Sequence, residues 1–233
     1  MSSAYDELGA AYDAWCEAVV EDIAWYVALA RESGGPVLEI GVGSGRIAVP
    51  TAVAGIHVVG VDNSPVMLDL ARAKAAAAGV ELDLRLGDML RLPDLGTYPL
   101  VTVPFRAFLH LASDGERLSV LQALRERIEP GGRLAFDVFH PHPLDIAETH
   151  DRWMEREPGI HERARWDAQQ RTLELSVHAG SADATMQLWW VTPTDWRRLL
   201  EEAGFGEIEV YGWFDGKPLA AGSADSVWLA LPA

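Results

Sequence analysis

The sequence VLEIGVGSG at residues 37–45 constrains the fold more than any other part of the chain. It begins with Val37, Leu38 and Ile40, a short apolar run typical of a strand buried on both faces of a parallel sheet. Glycines follow at positions 41, 43 and 45, where they allow a sharp turn and close approach of the backbone to a ligand. The next residues, RIAVPTAVAG, predict a helix whose N-terminal amides face that ligand, with a kink expected at Pro50.

Two cofactor classes use a glycine-rich loop of this kind. The residues GSGRIA, from Gly43 onward, match the pattern of dinucleotide-binding proteins, and Asp62 lies about 20 residues later, where the ribose-binding acid is expected. Glu39, however, would repel a pyrophosphate and could instead meet the ammonium group of an amino-acid tail. With Gly41 the motif becomes ExGxGxG, which resembles the class I S-adenosylmethionine (SAM)-dependent methyltransferases. The resemblance favours SAM as the cofactor, and NAD is the alternative.

The next two strands also end in acids. HVVGVD, residues 57–62, predicts the second strand, and LDLRLGD predicts a third strand ending at Asp88. The resemblance implies that Asp62 binds both ribose hydroxyls, since a carboxylate offers two oxygens, and that Asp88 and Met89 contact adenine. Any one of these acids could instead be a helix cap or a turn residue. Three acids closing three consecutive strands favour a cofactor site.

The fourth strand, PLVTVPF at residues 99–105, leads towards the reacting methyl group in the resembling family. Methyltransferases that modify amide or adenine nitrogens carry an acidic or Asn-Pro-Pro-aromatic motif here, whereas this chain has Val103, Pro104, Phe105 and Arg106. Modification of nucleic-acid bases is therefore not expected. The resemblance as a whole implies cofactor-binding roles for Tyr12, Glu39, Gly41, Gly43, Gly45, Asp62, Asn63, Asp88, Met89, Val103 and Phe105.

Arg106 and His110 are the candidate catalytic residues. If a helical turn follows Phe105, the two side chains stand four residues apart and share one face. A fixed cation and an imidazole could then orient an acceptor and remove its proton. The alternatives are that His110 packs in the core and that Arg106 pairs with a surface acid. Methyl transfer does not require a base, because alignment of the reacting atoms can supply most of the rate.

Residues 1–34 predict one or two helices, which in the resembling family form a lid over the cofactor. The segment carries five aromatic residues, and a ring of Tyr12 could face the positive sulfonium. The alternative is that the rings pack the helices onto the core, which we favour for two of them. The five are Tyr5, Tyr12, Trp15, Trp25 and Tyr26, of which Trp25 and Tyr26 are the two assigned to packing.

Residues 140–192 alternate like antiparallel strands, with turn residues at PGI, DAQQ and GSAD. An insertion after the fifth strand lies above the carboxyl edge of the sheet, where open α/β sheets bind ligands. We therefore expect a substrate-capping sheet that could also form a homodimer. Trp189 and Trp190 are adjacent in one of its strands, so they point to opposite faces, and one is expected to face the substrate.

The other segments complete an α/β pattern. They are a helix at 64–79 with Ser64 as its cap, a helix capped at Asp114, a turn at 130–132, a strand at 133–139, a helix ending at Gly204, and two terminal strands. Strands that alternate with helices imply a parallel sheet covered on both faces. With the resemblance, the expected fold is a Rossmann-like, seven-stranded, mostly parallel sheet with a helical lid and an antiparallel capping insertion. We expect one domain over residues 1–233.

The composition of the chain limits the kinds of partner that it is expected to bind. The chain of 233 residues has 35 acidic and 19 basic residues, a net charge of −16 that repels nucleic acid. A single cysteine, Cys16, excludes an internal disulfide. His140 and His142 stand two apart but lack a recognised third ligand, so no metal is expected. No apolar run reaches membrane-spanning length and the N-terminus lacks signal-peptide features, so we expect a cytoplasmic protein without membrane partners.

The sequence therefore predicts SAM-dependent methyl transfer to an oxygen or nitrogen of a small molecule. The resemblance extends to bacterial enzymes of natural-product pathways. Two alternatives stay open: an NAD-dependent oxidoreductase, and a catalytically inactive SAM-binding module that acts by dimerisation.

Overall fold

The computed structural model describes residues 4–233. The helices are α1 (Ala4–Leu8), α2 (Ala11–Trp15), α3 (Glu21–Ser33), α4 (Ala48–Val53), α5 (Pro65–Ala77), α6 (Asp114–Arg125), α7 (Pro143–Thr149) and α8 (Pro193–Glu202). The strands are β1 (Val37–Ile40), β2 (Val58–Asp62), β3 (Asp83–Leu86), β4 (Tyr98–Val103), β5 (Ile128–Phe139), β6 (Trp153–Glu157), β7 (Ile160–Asp167), β8 (Thr172–Ala179), β9 (Ala182–Trp189), β10 (Phe205–Tyr211) and β11 (Asp225–Pro232). A 3₁₀ turn spans Ala107–His110.

Seven strands form one sheet in the order β10-β11-β5-β4-β1-β2-β3. Strands β1 to β5 pair in parallel, and β11 runs antiparallel to both of its neighbours. Strand β1 lies between β2 and β4 and all four of its residues are buried, which explains its unbroken apolar character. This sheet confirms the expected Rossmann-like fold.

The carboxyl ends of β1 to β5 lie at one edge of the sheet because these strands are parallel. Beneath that edge, Phe108, Phe136, Trp196 and Trp228 are fully buried and their rings contact one another. Such a core holds the strand ends in fixed positions. Within residues 4–233, no helix combines the length and the apolar character needed to cross a membrane.

A second sheet has the order β6-β7-β8-β9 and is antiparallel throughout, as the alternation in residues 140–192 predicts. Helix α7, which the sequence reading missed, precedes it. Its N-cap is His142, whose Nδ1 accepts from the backbone N–H of Leu144 at 3.3 Å, while Asp145 completes a capping box. The HPHP segment thus begins a helix.

Several local expectations are corrected. The described part of the 1–34 segment forms three helices rather than one or two, and residues 1–3 of that prediction lie outside the described residues. Pro50 occupies the first turn of α4, where its missing N–H removes no intrahelical bond and no kink is needed. Ser113, not Asp114, caps α6, because its hydroxyl accepts from the N–H of Glu116.

The PGG sequence at residues 130–132 is not a separate turn but lies within β5. The register of β5 against β4 shifts there, since Tyr98 pairs with Ile128 but Leu100 pairs with Arg133. Gly132 fits this irregularity because a Cβ would lie 2.8 Å from the carbonyl oxygen of Pro99. The extra residues form a bulge that the hydrophobic pattern does not reveal.

Candidate active site

A cavity lies at the carboxyl edge of the parallel sheet, where the segments after β1, β2, β3 and β4 converge. Eight of the eleven expected cofactor residues line it: Tyr12, Gly41, Gly43, Asp62, Asn63, Asp88, Met89 and Phe105. The same wall contains Ile40, Met67, Gly87 and Pro104. No Lys or Arg is among the lining residues, so the polar groups of this cavity are carboxylates, neutral polar side chains and backbone groups.

Asp62 is held in place by the backbone around it. Its Oδ2 accepts from the N–H of Gly43 at 2.8 Å and its Oδ1 accepts from the N–H of Ser64 at 2.9 Å. Burial raises the pKa of Asp62 above its ordinary value, although these N–H donors favour its ionised form. Each oxygen keeps a further lone pair, so the carboxylate can accept from two neighbouring hydroxyls.

The glycine loop brings the backbone against the cavity. Gly41 has φ +71° and a Cβ there would lie 2.9 Å from the Cβ of Ala107, so a side chain would not fit between β1 and the 3₁₀ turn. Gly43 also has positive φ, at +53°. The loop therefore needs glycine at both positions, for conformation and for close approach.

Three expected cofactor residues do not line this cavity. Val103 is fully buried in β4, and Pro104 reaches the wall in its place. Gly45 has φ +79° and faces α5, where a Cβ would lie 3.3 Å from the Cβ of Ala71. Glu39 is only 2 % exposed. The sequence identifies these residues near the site, but only packing decides which way each side chain or Cα faces.

Glu39 lies beneath the glycine loop, where it accepts a hydrogen bond from the N–H of Ala48 at the start of α4. Burial raises its pKa to about 8, and the nearby Arg46 partly opposes this rise. This is the helix-cap role that the sequence left open. Above neutral pH the fold must accommodate a buried negative charge at this position.

A second, larger cavity of about 500 Å³ lies between the N-terminal helices, the sheet edge and the second sheet. Its apolar wall includes Trp15, Phe139, Trp166, Met186 and Phe214. Four ring-bearing residues line both cavities: Tyr5, Tyr12, Phe105 and His110. These four rings therefore mark the junction between the two cavities.

The junction rings contact one another edge to face. Tyr5 lies 5.7 Å from Tyr12 and 5.5 Å from His110 between ring centroids, and Tyr12 lies 6.5 Å from Phe105. The guanidinium of Arg46 also lies 4.2 Å from the centre of the Phe105 ring. The geometry fits aromatic contacts, which stabilise a defined ring arrangement.

His110 is joined to Tyr5 by a hydrogen bond of 2.7 Å between Nε2 and the phenol oxygen. Burial lowers the pKa of His110 to about 4, so the imidazole is neutral at physiological pH. Burial also raises the pKa of Tyr5, which keeps its hydroxyl protonated. A neutral imidazole at the junction can accept a proton from a bound molecule.

Arg106 and His110 do not share a helical face. Arg106 has φ +64° and precedes the 3₁₀ turn, so the expected i, i+4 geometry is absent. Its guanidinium donates to Asp225 at 2.7 Å and lies 5.2 Å from the centre of the Phe139 ring. Arg106 lines the second cavity only, and its charge is already paired there.

Asp137 is a site residue that the sequence reading missed. It is the third residue from the end of β5 and lines the second cavity while only 6 % exposed. Its Oδ1 accepts from the hydroxyl of Tyr26 at 2.7 Å and from the N–H of Phe105 at 2.8 Å. The available signal was an acid inside the apolar strand RLAFDVF.

The N-terminal helices are attached to the cofactor loops by three aspartates. Asp6 accepts from Ser64 Oγ at 2.5 Å, Asp13 from Ser44 Oγ at 2.6 Å, and Asp22 forms an ion pair of 2.5 Å with Arg46. Lys74 also pairs with Asp13 at 2.5 Å. These contacts place α1 to α3 against both cavities, although their aromatic content alone could not show it.

The expectation for the tryptophan pair is wrong. Neither Trp189 nor Trp190 lines either cavity, and Trp190 instead packs edge to face behind Trp166 at 5.5 Å. Trp166, from β7, is the tryptophan of the second sheet that reaches the cavity. His140 also lines neither cavity, and burial lowers its pKa.

Comparisons with known proteins agree with this geometry. A family model described as a methyltransferase domain matches residues 37–132. The structure of the CcbJ methyltransferase from Streptomyces caelestis superposes with a TM-score of 0.82 at 25% identity, covering 100% of this chain and 98% of that one. The chain therefore has the fold of the SAM-dependent methyltransferases, and residues 37–132 match the model of a methyltransferase domain.

Two curated relatives extend the comparison. The cypemycin N-terminal methyltransferase of Streptomyces sp is 27% identical over 212 residues, which are 87% of this chain and 85% of that protein. A protein named as a methyltransferase in Geobacillus sp. is 32% identical over 143 residues, 60% of this chain. The match spans 57% of the Geobacillus protein's length.

The first cavity fits SAM better than a dinucleotide. Asp62 and Asp88 are acceptors for the hydroxyls and amine of an adenosyl group, whereas a pyrophosphate would find no cationic side chain among the lining residues. The cofactor is SAM, and the NAD alternative is not supported.

Proposed function

We propose that the protein transfers the methyl group of SAM to an oxygen or nitrogen of a small molecule, with the acceptor bound in the second cavity. The observation that carries this proposal is the junction of two cavities at Tyr5, Tyr12, Phe105 and His110. One cavity has the acids and glycines suited to an adenosyl group, and the other is larger and mostly apolar. Such a pair brings two ligands together at one point.

In this proposal Asp62 and Asn63 bind the ribose, Asp88 and Met89 bind adenine, and the loop at Gly41 and Gly43 accommodates the amino-acid tail. When bound, SAM supplies an electrophilic methyl group on a sulfonium, whose sulfur keeps the bonding electron pair. The rings of Tyr12 and Phe105 contribute π faces suited to a nearby positive charge. Catalysis then depends mainly on alignment of the acceptor.

The acceptor must lose a proton during the reaction, and His110 is placed to accept it. Its imidazole is neutral because burial lowers its pKa to about 4, and the Tyr5 hydroxyl fixes its orientation. Arg106 would contribute through Asp225, by shaping the cavity wall rather than by direct proton transfer. His110 is therefore the catalytic residue of the proposal and Arg106 a positioning residue.

The proposal also assigns roles to the outer segments. Helices of the 1–34 segment act as a lid, since α1 and α2 close the junction from outside. The insertion at 140–192 caps the acceptor, because Trp166, Leu173 and Met186 form part of the cavity wall. Both segments belong to a single functional domain over residues 1–233.

The acceptor class is a small molecule rather than a nucleic acid. The net charge of −16 disfavours a phosphate backbone. The two relatives named from Streptomyces favour intermediates of natural-product pathways. A catalytically inactive, dimerising module is the second candidate, and it would bind SAM without turnover across a broad panel of acceptors.

Asp62→Ala tests the cofactor site. S-Adenosylhomocysteine at about 100 times its dissociation constant should stabilise the wild type by about 2.7 kcal/mol. Asp62→Ala should lose most of that stabilisation, because it removes the carboxylate that faces the cavity. Chemical denaturation with and without the ligand measures both values, and NAD serves as the comparison ligand.

The matched control is Asp69→Ala, which removes the same charge from an exposed position on α5. It should keep the full stabilisation by S-adenosylhomocysteine. Equal stabilisation of wild type and Asp62→Ala, or stabilisation by NAD alone, would contradict the assignment.

A further inference from the structure

The wall of the second cavity carries more carboxylates than cations. Its acidic residues are Glu21, Asp22, Asp137, Asp145, Glu162 and Asp225, and its basic residues are Arg106 and Arg156. An excess of this kind gives the cavity a negative potential. The ion pairs and hydrogen bonds of each carboxylate decide whether its charge is compensated.

Three of the acids are already paired with arginines. Asp225 binds Arg106 at 2.7 Å and Glu162 binds Arg156 at 3.1 Å. Asp22 forms its ion pair with Arg46, which lies just outside the lining set. Among the described residues, none of these three guanidiniums forms an ion pair with Asp137, although the charge of Arg106 still lowers the pKa of Asp137.

Two more of the acids are exposed and used locally. Glu21 accepts from the N–H of Val20, and Asp145 accepts from the N–H of His142 in the capping box. Water screens both charges. Their position at the outer wall gives them little influence over a ligand inside.

Asp137 is the remaining carboxylate, and it is buried. Both hydrogen bonds that it accepts, from Tyr26 and Phe105, go to Oδ1. Among residues 4–233, Oδ2 has no hydrogen-bond donor and no ion-pair partner, although the residue lines the cavity. Burial raises the pKa of Asp137 to about 6, so it is mostly ionised above neutral pH.

A buried carboxylate with one open oxygen requires a positive partner or a strong donor. The wall of the same cavity also carries aromatic rings, including Phe139, Trp213 and Phe214, which suit an apolar body and a cation together. A protonated amine meets both requirements, since its N–H groups donate and its charge is opposite. A carboxylate ligand would be repelled.

We propose that Asp137 binds the protonated amine of the acceptor, and that the substrate is therefore an amine carried on an apolar or aromatic body. This inference rests on the proposed function, which assigns the second cavity to the acceptor. It narrows the acceptor from oxygen or nitrogen to an amine, and it makes Asp137 the specificity-determining residue. The bound ammonium first gives one proton to His110, the base of the proposed function, which frees the nitrogen lone pair. The nitrogen then forms a bond to the methyl carbon while the methyl–sulfur bond of SAM breaks, and the electron pair of that bond stays on sulfur.

Matched amines and alcohols test the proposal. The probes are tryptamine with tryptophol, phenethylamine with phenylethanol, and cyclohexanemethylamine with cyclohexanemethanol, titrated calorimetrically at pH 8 with S-adenosylhomocysteine present. The wild type should bind at least one amine about tenfold or more tightly than its alcohol, the preference expected of a charged hydrogen bond. Asp137→Asn should abolish that preference.

The control variant is Glu21→Gln, which removes one negative charge from the outer wall of the same cavity. It should retain the preference for amines. Asp137→Asn keeps an oxygen that can accept from Tyr26 and Phe105, so its fold should persist. If it does not fold, Asp137→Ser gives the same readout, and the wild-type preference is measured without any variant.

Equal binding of amines and alcohols by the wild type, no binding of any amine, or a preference that survives in the Asp137 variant would overturn the inference. The affinity for S-adenosylhomocysteine separates this result from the proposed function. If that ligand binds and the amine preference is absent, only the present inference fails. If it does not bind, the proposed function fails, and the amine preference is still measurable.

Discussion

His110→Ala should lower the turnover number for methyl transfer by about 10² to 10⁴-fold, the range for loss of a general base. Affinity for S-adenosylhomocysteine should stay close to that of the wild type, because His110 lies at the junction and not among the acids and glycines of the first cavity. Steady-state kinetics with an identified acceptor, together with calorimetric titration of the cofactor product, measures both quantities.

The dependence of the turnover number on pH tests whether His110 is the group that accepts the proton. A base must be unprotonated, so activity that depends on His110 is present above its pKa and falls as pH drops through about 4. A histidine with an ordinary pKa would give the same fall in activity near pH 6.5. The fall is expected at an unusually low pH because the imidazole ring of His110 is buried.

Tyr5→Phe is the companion variant, because it keeps the ring and removes only the hydroxyl that binds Nε2. It should lower the turnover number less than His110→Ala does. A loss below tenfold in His110→Ala would mean that alignment alone carries the reaction. Unfolding of His110→Ala, with full activity in His110→Gln, would assign the residue to packing.

Glu39→Gln should make the unliganded protein more stable than the wild type at pH 9, by about 5 kcal/mol, since one pKa unit corresponds to about 1.4 kcal/mol. The physical reason is burial, which raises the pKa of Glu39 from 4.5 to about 8. The folded state thus favours the protonated carboxyl. A glutamine keeps an acceptor for the N–H of Ala48 and never becomes charged.

The direction of the pH dependence follows from the raised pKa. The contribution of Glu39 to the free energy of unfolding is fully present below pH 4.5, the ordinary pKa of this carboxyl. That contribution is lost as the pH rises through about 8. Glu39→Gln should therefore match the wild type near pH 4.5 and exceed it increasingly up to pH 9. Denaturant titrations across this range provide the measurement.

Glu81→Gln is a suitable control because this acid lies at an exposed position before β3. It should leave the pH dependence of stability unchanged. If Glu39→Gln were less stable than the wild type at pH 9, the charged carboxylate would be stabilising the glycine loop. Glu39 would then be ionised in the fold, and its role as a neutral helix cap would be wrong.

The parallel strands and the first cavity were largely predictable. Asp62 ends β2 as expected, whereas β3 ends at Leu86, so Asp88 follows that strand by two residues instead of ending it. Parallel strands still place both acids at one edge of the sheet. The resemblance then supplied the cofactor. The same reasoning could not distinguish Glu39, which is the last residue but one of β1 and is buried.

The second cavity was much less predictable, because residues far apart in sequence form it. Trp166 lies in β7 and Trp190 directly follows β9, yet of these two only Trp166 reaches the wall. The alternation of side chains along a strand predicts that neighbouring residues point to opposite faces, but it does not predict which face lines the cavity. Docking of the second sheet onto α1 and the 3₁₀ turn makes that choice.

The sequence by itself determined the features that depend on neighbouring residues: the glycine turn with its positive φ at Gly41 and Gly43, the Ser64 helix cap, and the acids at the end of β2 and just after β3. Only the tertiary structure decided the chemistry of Asp137 and His110. Their hydrogen-bond partners Tyr26 and Tyr5 lie 111 and 105 residues away along the chain. Burial set both pKa values, and burial is a property of the packed molecule, since it depends on every element that excludes water from the group.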